Sequence, residues 1–389
     1  MAALCFASLL ANPYVEPDPS GMGMGVLMIW PTARSTALAG AMTGLADEAD
    51  ATHYNPAGLA FQTTAKASIN YANWLPWLYQ GMYYASAAGG APVRLPLLHG
   101  RNAFVAGSVT YMAVGETDIV DERGNFLGRF EVWRATLAAH AAVSLTDEVG
   151  TGVSLKLLRS AHSRMDDWMW ELGPDVGFES GGNATAVAAD LALSYKPSSK
   201  VSFGLAVTNV GPKIRYYPDN HYGDPYSAAL PSMARLGLCW TPIENRNLRL
   251  RVMPELDKLL VGTFHDTAET FGHMLGEEWK DVWKAVGIEA TAFNFVSLRL
   301  GYFEDLSFQR GGIILEKESQ TYHYGVWDVL TRKGLGQFSR IGLCWGFGIG
   351  TNTLRFDLSS DAAIYDFPTT NWKLQLTCND IGRLLGKRG

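Results

Sequence analysis

The stretch WRATLAAHAAVSL, residues 133–145, sets Trp133, Ala135, Leu137, Ala139, Ala141, Val143 and Leu145 on one parity and Arg134, Thr136, Ala138, His140, Ala142 and Ser144 on the other. A period of two residues belongs to an extended strand, here with one apolar face and one polar or small face. The same beat runs through residues 185–195, where Val187, Ala189, Leu191 and Leu193 oppose Ala188, Asp190, Ala192 and Ser194. It returns in Leu248, Leu250 and Val252 against Arg249, Arg251 and Met253, and in Trp372, Leu374 and Leu376 against Lys373, Gln375 and Thr377. Strands of about 10 residues are long enough to cross a bilayer core at a tilt.

Such segments begin near Ala65, Gln80, Arg101, Phe130, Val149, Ala184, Val201, Ser232, Asn247, Trp283, Val296, Phe338, Asn352 and Thr370. They predict an all-β fold, a transmembrane antiparallel β-barrel of about 14 strands, because only a closed sheet satisfies its backbone in lipid. The charges agree. Lys66, Arg134, Lys156, Asp190, Arg235, Arg249, Arg251, Glu289, Arg299, Arg340, Arg355, Asp357 and Lys373 all fall on the polar parity. The exceptions, Glu131, Arg159 and Lys284, sit at strand ends, where a charge costs about 0–1 kcal/mol against about 2–4 kcal/mol for Arg or Lys at the midplane. Connections at 146–148, 196–200, 242–246 and 293–295 are short, whereas 114–129, 160–183, 211–231, 257–282 and 304–337 are long. Short periplasmic turns and long outer loops are the expected asymmetry, and residues 266–284 predict a helix within one long loop.

Composition bounds the rest. The 389-residue chain is 47% hydrophobic and only 18% charged, below the quarter or so that soluble domains carry and too apolar for disorder. A net charge of -6 opposes nucleic-acid binding. Cys5, Cys239, Cys344 and Cys378 are too scattered for a disulfide framework or a paired metal site. Residues 1–11 read as a signal-peptide remnant, 12–62 as a plug, 63–380 as the barrel and 381–389 as a basic tail. The uncharged run 67–93 is broken by Pro76 and Pro92 and predicts no spanning helix. In the plug, residues 32–47 predict a helix, with Pro31 before it and Leu38, Met42 and Leu45 on one stripe. Small lumen-facing residues leave a cavity for the plug to fill; a periplasmic extension is the alternative.

Residues 33–60, ARSTALAGAMTGLADEADATHYNPAGLA, resemble the N-terminal signature of the FadL-like outer-membrane barrels, and more specifically of the PorV/PorQ family of type IX secretion proteins. KPSSKVSFGLAVTNVGPKI (196–214), PSMARLGLCW (231–240), ELDKLLV (255–261) and VSLRLGYFED (296–305) follow in the order PorV has. The resemblance implies a hatch inside the barrel, with the Asn-Pro motif at Asn55, Pro56, Ala57 and Gly58 and with Asp47 and Asp50 just before it. On the residues alone, Asn55-Pro56 suits turn initiation and Gly58 suits close backbone approach. The resemblance further implies an outer-membrane protein that sits in lipid and docks on the type IX translocon barrel (SprA/Sov-like). It would accept the C-terminal signal domains of secreted proteins and pass them to a sortase-like surface peptidase (PorU-like). A FadL-type transporter of hydrophobic small molecules is the alternative. One departure stands out: the family's last strand usually closes the chain, whereas here IGRLLGKRG follows it.

The long loops carry Trp168, Trp170, Tyr216, Tyr217, Tyr222, Tyr226 and Trp327, aromatic anchors of the kind that make interface hot spots. The same residues could instead fold over the mouth as a lid. His265, Glu269 and His273 would share one helix face, but with no further ligand they read as a solvated face. Residues 121–125, DERGN, lack calcium-loop spacing and read as a hairpin tip. Neither GxSxG nor HExxH occurs, so no catalytic residue, metal or cofactor is expected and the chain reads as a non-enzyme. His140 is expected to pack against the plug. Trp133 and Trp372 near one rim, and Trp240 and Trp345 near the other, suit aromatic girdles.

Overall fold

A computed structural model describes residues 22–76, 81–94, 101–120, 123–161, 183–217, 226–263, 271–306, 340–364 and 369–386. Sixteen strands occur among them: β1 (Lys66–Asn73), β2 (Tyr83–Arg94), β3 (Asn102–Val120), β4 (Phe126–Ser144), β5 (Val149–Ala161), β6 (Asn183–Ser198), β7 (Val201–Val210), β8 (Ile214–Tyr217), β9 (Tyr226–Ala228), β10 (Met233–Glu244), β11 (Leu248–Leu259), β12 (Val282–Ala292), β13 (Val296–Asp305), β14 (Arg340–Gly350), β15 (Leu354–Ser360) and β16 (Trp372–Cys378). All except β8 and β9 join, neighbour to neighbour in chain order, in one closed antiparallel barrel of fourteen strands that β1 and β16 seal. Each of the fourteen barrel strands starts within a few residues of its predicted position, whereas β8 and β9 lie in the stretch 211–231 expected as a loop.

The alternation read from residues 133–145 is the alternation of the wall. Leu137, Leu155, Val187 and Leu191 are exposed on the outside, whereas Thr136, His140, Lys156 and Asp190 are buried in the lumen. Two of the parity exceptions find partners at the long-loop rim: Lys284 pairs with Glu304 at 2.8 Å, and Arg159 donates to Thr185 Oγ1 at 2.8 Å. A ladder of rings crosses five adjacent strands there, Trp372–Tyr71–Tyr83–Tyr111–Trp133, each step 5.9 Å between centroids. Trp240 lies near the opposite rim, beside the Tyr195–Phe203 stack on the two preceding barrel strands. Amphipathic rings at both edges of an apolar band match the interfacial preference of Trp and Tyr.

Two expectations about connections change. Residues 114–129 are mostly strand: β3 and β4 stay paired from Gly115↔Val132 to Val120↔Phe126, well beyond the ring ladder. Thr117, Ile119, Val120 and Phe126 favour extended backbone, and Gly115, at φ 112°, takes up a register shift that a side chain would strain. The predicted helix at 266–284 is observed over Phe271–Lys280, after which Val282 opens β12; residues 264–270 lie outside the described residues.

Residues 22–62 run inside the barrel, where most of them are buried. The helix expected at 32–47 is confined to Ala33–Ala37. Its start is well made: Thr32 Oγ1 accepts from the Ser35 N–H and Ser35 Oγ from the Thr32 N–H. Its end comes early because Ala39 and Gly40 both take left-handed backbone, φ 55° and 83°. Leu38, Met42 and Leu45 are buried as the stripe required, but turns deliver them rather than helix. Their cluster includes Trp30, whose ring meets Phe303 of β13 edge-on at 4.9 Å. Burying each such side chain is worth about 1.5–3 kcal/mol.

Candidate functional site

The Asn-Pro motif lies where residues 22–62 are fastened to the barrel wall. Asn55 is fully buried, and its Oδ1 accepts from the Ala57 N–H at 3.0 Å, capping the 3-10 turn Pro56–Phe61 that Pro56 begins. Its Nδ2 donates to the carbonyls of Thr43 at 2.9 Å and Leu193 at 3.1 Å, tying two turns of the plug to β6. Such an approach needs bare backbone in the wall: a Cβ on Gly204 of β7 would stand 2.6 Å from Asn55 Nδ2 and collide with the Thr43 carbonyl. Gly58 meets Ala46 just as closely, so the close approach expected there is present. Thr43 is gripped from the other side, its N–H and hydroxyl donating to Glu255 of β11 at 2.7 and 2.6 Å.

Asp47 and Asp50 belong to a larger buried network whose centre is Arg34. Its guanidinium donates to Asp47 at 2.7 Å, to Glu48 at 2.6 Å and, as a two-toothed fork, to both oxygens of Glu289 at 2.8 Å. Around it, Arg251 reaches Asp47 and Glu289 at 3.0 and 3.1 Å, Arg299 bridges Glu289 and Asp357 at 2.7 and 2.6 Å, and Arg355 joins Glu48 to Asp357. Burial would raise the Asp47 carboxyl, but the guanidiniums of Arg34 and Arg251 outweigh it and hold it well below the usual carboxylate range. Asp50 lies one step outside the fork. It accepts from Gln375 at 3.1 Å and Asn70 at 3.4 Å, and burial pushes its carboxyl up to about 7. Neither Arg34 nor Glu48 was singled out by the motif reading. Arg34 is the single Arg or Lys between residues 12 and 62, and a lone cation in a buried plug was the available signal.

At the long-loop mouth, β8 and β9 form a separate hairpin with Ile214 opposite Ala228. Ile214, Tyr216 and Ala228 are buried in one cluster with Met24, Val26 and Leu27, and the Gly23 N–H donates to the Ala229 carbonyl at 2.9 Å. Tyr216 is therefore turned inward rather than offered to a partner, because alternation along β8 gives Ile214 and Tyr216 one apolar face to cover. Tyr217 and Tyr226 oppose one another in the hairpin. Trp168, Trp170, Tyr222 and Trp327 lie outside the described residues, as do residues 1–11, His265, Glu269, Asp121 and Glu122. His140 is buried in the lumen and held by the wall, 2.9 Å from Ser108 Oγ and 2.7 Å from Ser154 Oγ. Cys239, Cys344 and Cys378 are free thiols. A cavity of about 230 Å³ is lined by Val26, Ile29, Trp30, Trp74, Met112 and Arg134, among others.

A closed barrel with an apolar outer band, ring girdles and a polar lumen is an integral outer-membrane β-barrel. The family model described as "Type IX secretion system protein PorV" matches residues 20–266, from the plug through β11, and the chain belongs to that family. It is thus an outer-membrane component of the type IX secretion class. A search of curated proteins finds no match. Among solved structures, a Pseudomonas aeruginosa FadL homologue is 12% identical, with 90% of this chain and 98% of that one covered at a TM-score of 0.48. The Ralstonia pickettii toluene transporter TbuX is 12% identical over 89% and 97%, TM-score 0.45, and the Pseudomonas putida toluene transporter TodX 12% over 89% and 96%, TM-score 0.43.

Proposed function

We propose that the protein is the PorV-like adaptor of a type IX secretion system. It docks on the translocon barrel, receives secreted proteins by their C-terminal signal domains and hands them to a sortase-like surface peptidase. The observation that carries this reading is the family match, which spans residues 20–266, from the plug into the wall. The lumen also suits a docking role better than a conduit, since residues 22–62 are stapled to β6, β11 and β12 by Asn55, Thr43 and Arg34. Cargo would then be met at the rim and on the long loops, where Trp168, Trp170, Tyr217, Tyr222, Tyr226 and Trp327 remain the candidate contacts.

A FadL-type transporter is the second reading, favoured by the cavity beside Val26 and Trp30. At about 230 Å³ it is smaller than the roughly 300–1,000 Å³ of ordinary ligand pockets, which weighs against a long acyl chain. Affinity purification of the full-length protein from its own outer membrane, followed by binding of a purified C-terminal signal domain, tests the choice. Co-purification of the translocon barrel together with saturable capture of the domain is expected. Binding of a hydrophobic solute with no protein partner would overturn it.

A further inference from the structure

At the short-turn rim the lumen opens into a cavity of about 290 Å³, edged by Asn294 and Phe295 of one turn and Thr351 and Asn352 of another. Three carboxylates face it, Asp47, Glu48 and Glu289, and each is already held by Arg34, Arg251 or Arg355. Two more cations line the same space, Lys66 and Arg249. Neither has a carboxylate within 4.0 Å among the described residues. Lys66 Nζ donates only to the Asp47 carbonyl, at 3.0 Å. The Nε of Arg249 is buried with no hydrogen-bond partner among the described residues. Glu244, opposite Arg249 in the strand register, is exposed and makes no ion pair with it.

Lys66 is buried and Arg249 half-buried, and a desolvated cation with no ion pair of its own costs free energy that a bound anion recovers. The Arg249 guanidinium on β11 and the Lys66 ammonium on β1, with β12 to β16 between them in the wall, reach one cavity from different sides. With Gln62, Asn352 and Asn379 supplying neutral donors nearby, they match a tetrahedral oxyanion with several acceptor oxygens. We propose that this periplasm-facing cavity binds an oxyanion of the phosphate class between Arg249 and Lys66. Free phosphate and a phosphorylated headgroup share that chemistry. The assignment is independent of the secretion role, since it uses no outer loop.

The test is equilibrium binding of radiolabelled inorganic phosphate to the full-length protein in detergent at fixed ionic strength, with chloride as competitor. One saturable site per chain, not displaced by equimolar chloride, is expected. Arg249→Gln should weaken it about tenfold or more, the loss of one charge-assisted hydrogen bond, and Lys66→Gln should weaken it in the same direction. Arg94→Gln, an exposed cation at the end of β2 on the same rim, should leave it unchanged. Competition by glycerol 3-phosphate at lower concentration than phosphate would identify a headgroup as the preferred source; the reverse order would identify the free ion. Absence of saturable binding to the wild-type protein, or equal weakening by Arg94→Gln, would overturn the proposal whatever the folding of the other variants.

Discussion

Arg34 of the plug and Glu289 of β12, 255 residues apart in the chain, meet through two parallel hydrogen bonds of 2.8 Å with both side chains almost fully buried. Breaking a buried pair of this kind leaves a charge uncompensated and costs about 3–5 kcal/mol. Arg34→Met should therefore loosen the plug without dissolving the barrel, and Arg34→Lys, which keeps the charge but loses the fork, should fall between. Limited proteolysis of residues 22–62 and planar-bilayer conductance read the effect. A variant as protected and as tight as the parent would show that apolar packing around Trp30 and Met42 holds the plug alone.

Asn55 offers a sharper test, because its two ends do different things. Asn55→Ala removes the donor to Thr43 and Leu193 and leaves both carbonyls short of a partner, at about 1–3 kcal/mol. Asn55→Asp keeps the acceptor for the Ala57 N–H but turns the donor into a second acceptor facing two carbonyl oxygens. The aspartate should be the worse of the two in chemical denaturation of the plug. If the order is reversed, the cap on residues 56–61 matters more than the tie to β6.

The strands were legible because lipid enforces a two-residue beat that needs no long-range information, and the parity of Lys156, Asp190, Glu289 and Arg299 followed from it. The partners were not legible. Which lumen cation meets which acid depends on closure, which brings β12, β13 and β15 around one point of the plug. Glu255 and Asp257 escaped notice for a simpler reason: Pro254 interrupts the apolar pattern of β11, although the alternation continues through it and keeps both acids in the lumen. The plug helix was overextended because an apolar stripe at helical spacing does not reveal the left-handed pair Ala39-Gly40 that ends it.

Asp50 makes plug stability depend on pH. Its carboxyl is raised from 3.8 to about 7, by burial first and by the nearby Glu48 charge as a lesser cause. The folded protein then holds a proton there that the unfolded chain releases, so this stabilisation is fully present below about pH 3.8 and is lost as pH rises through about 7. Protease protection of residues 22–62 should be greater at pH 5.5 than at pH 8. Asp50→Asn, a permanently neutral isostere, should flatten the difference and protect at pH 8. A pH profile identical in the two proteins would assign the dependence to another group.

Leu137 lies four residues inside the Trp133 girdle and is 61% exposed on the outer face, so Leu137→Arg sets a charge near the bilayer midplane at about 2–4 kcal/mol. Leu155, opposite Ala139 on β5 and 71% exposed, should behave alike when changed to Arg. Thr136, one residue away, is 5% exposed in the lumen, and its hydroxyl has no hydrogen-bond partner among the described residues; Thr136→Val should insert as well as the parent. The measurement is folding yield into lipid vesicles, read by heat-modifiable mobility on gels. Normal insertion of both arginine variants, or failure of Thr136→Val alone, would mean that the face assigned to lipid is the face that looks inward.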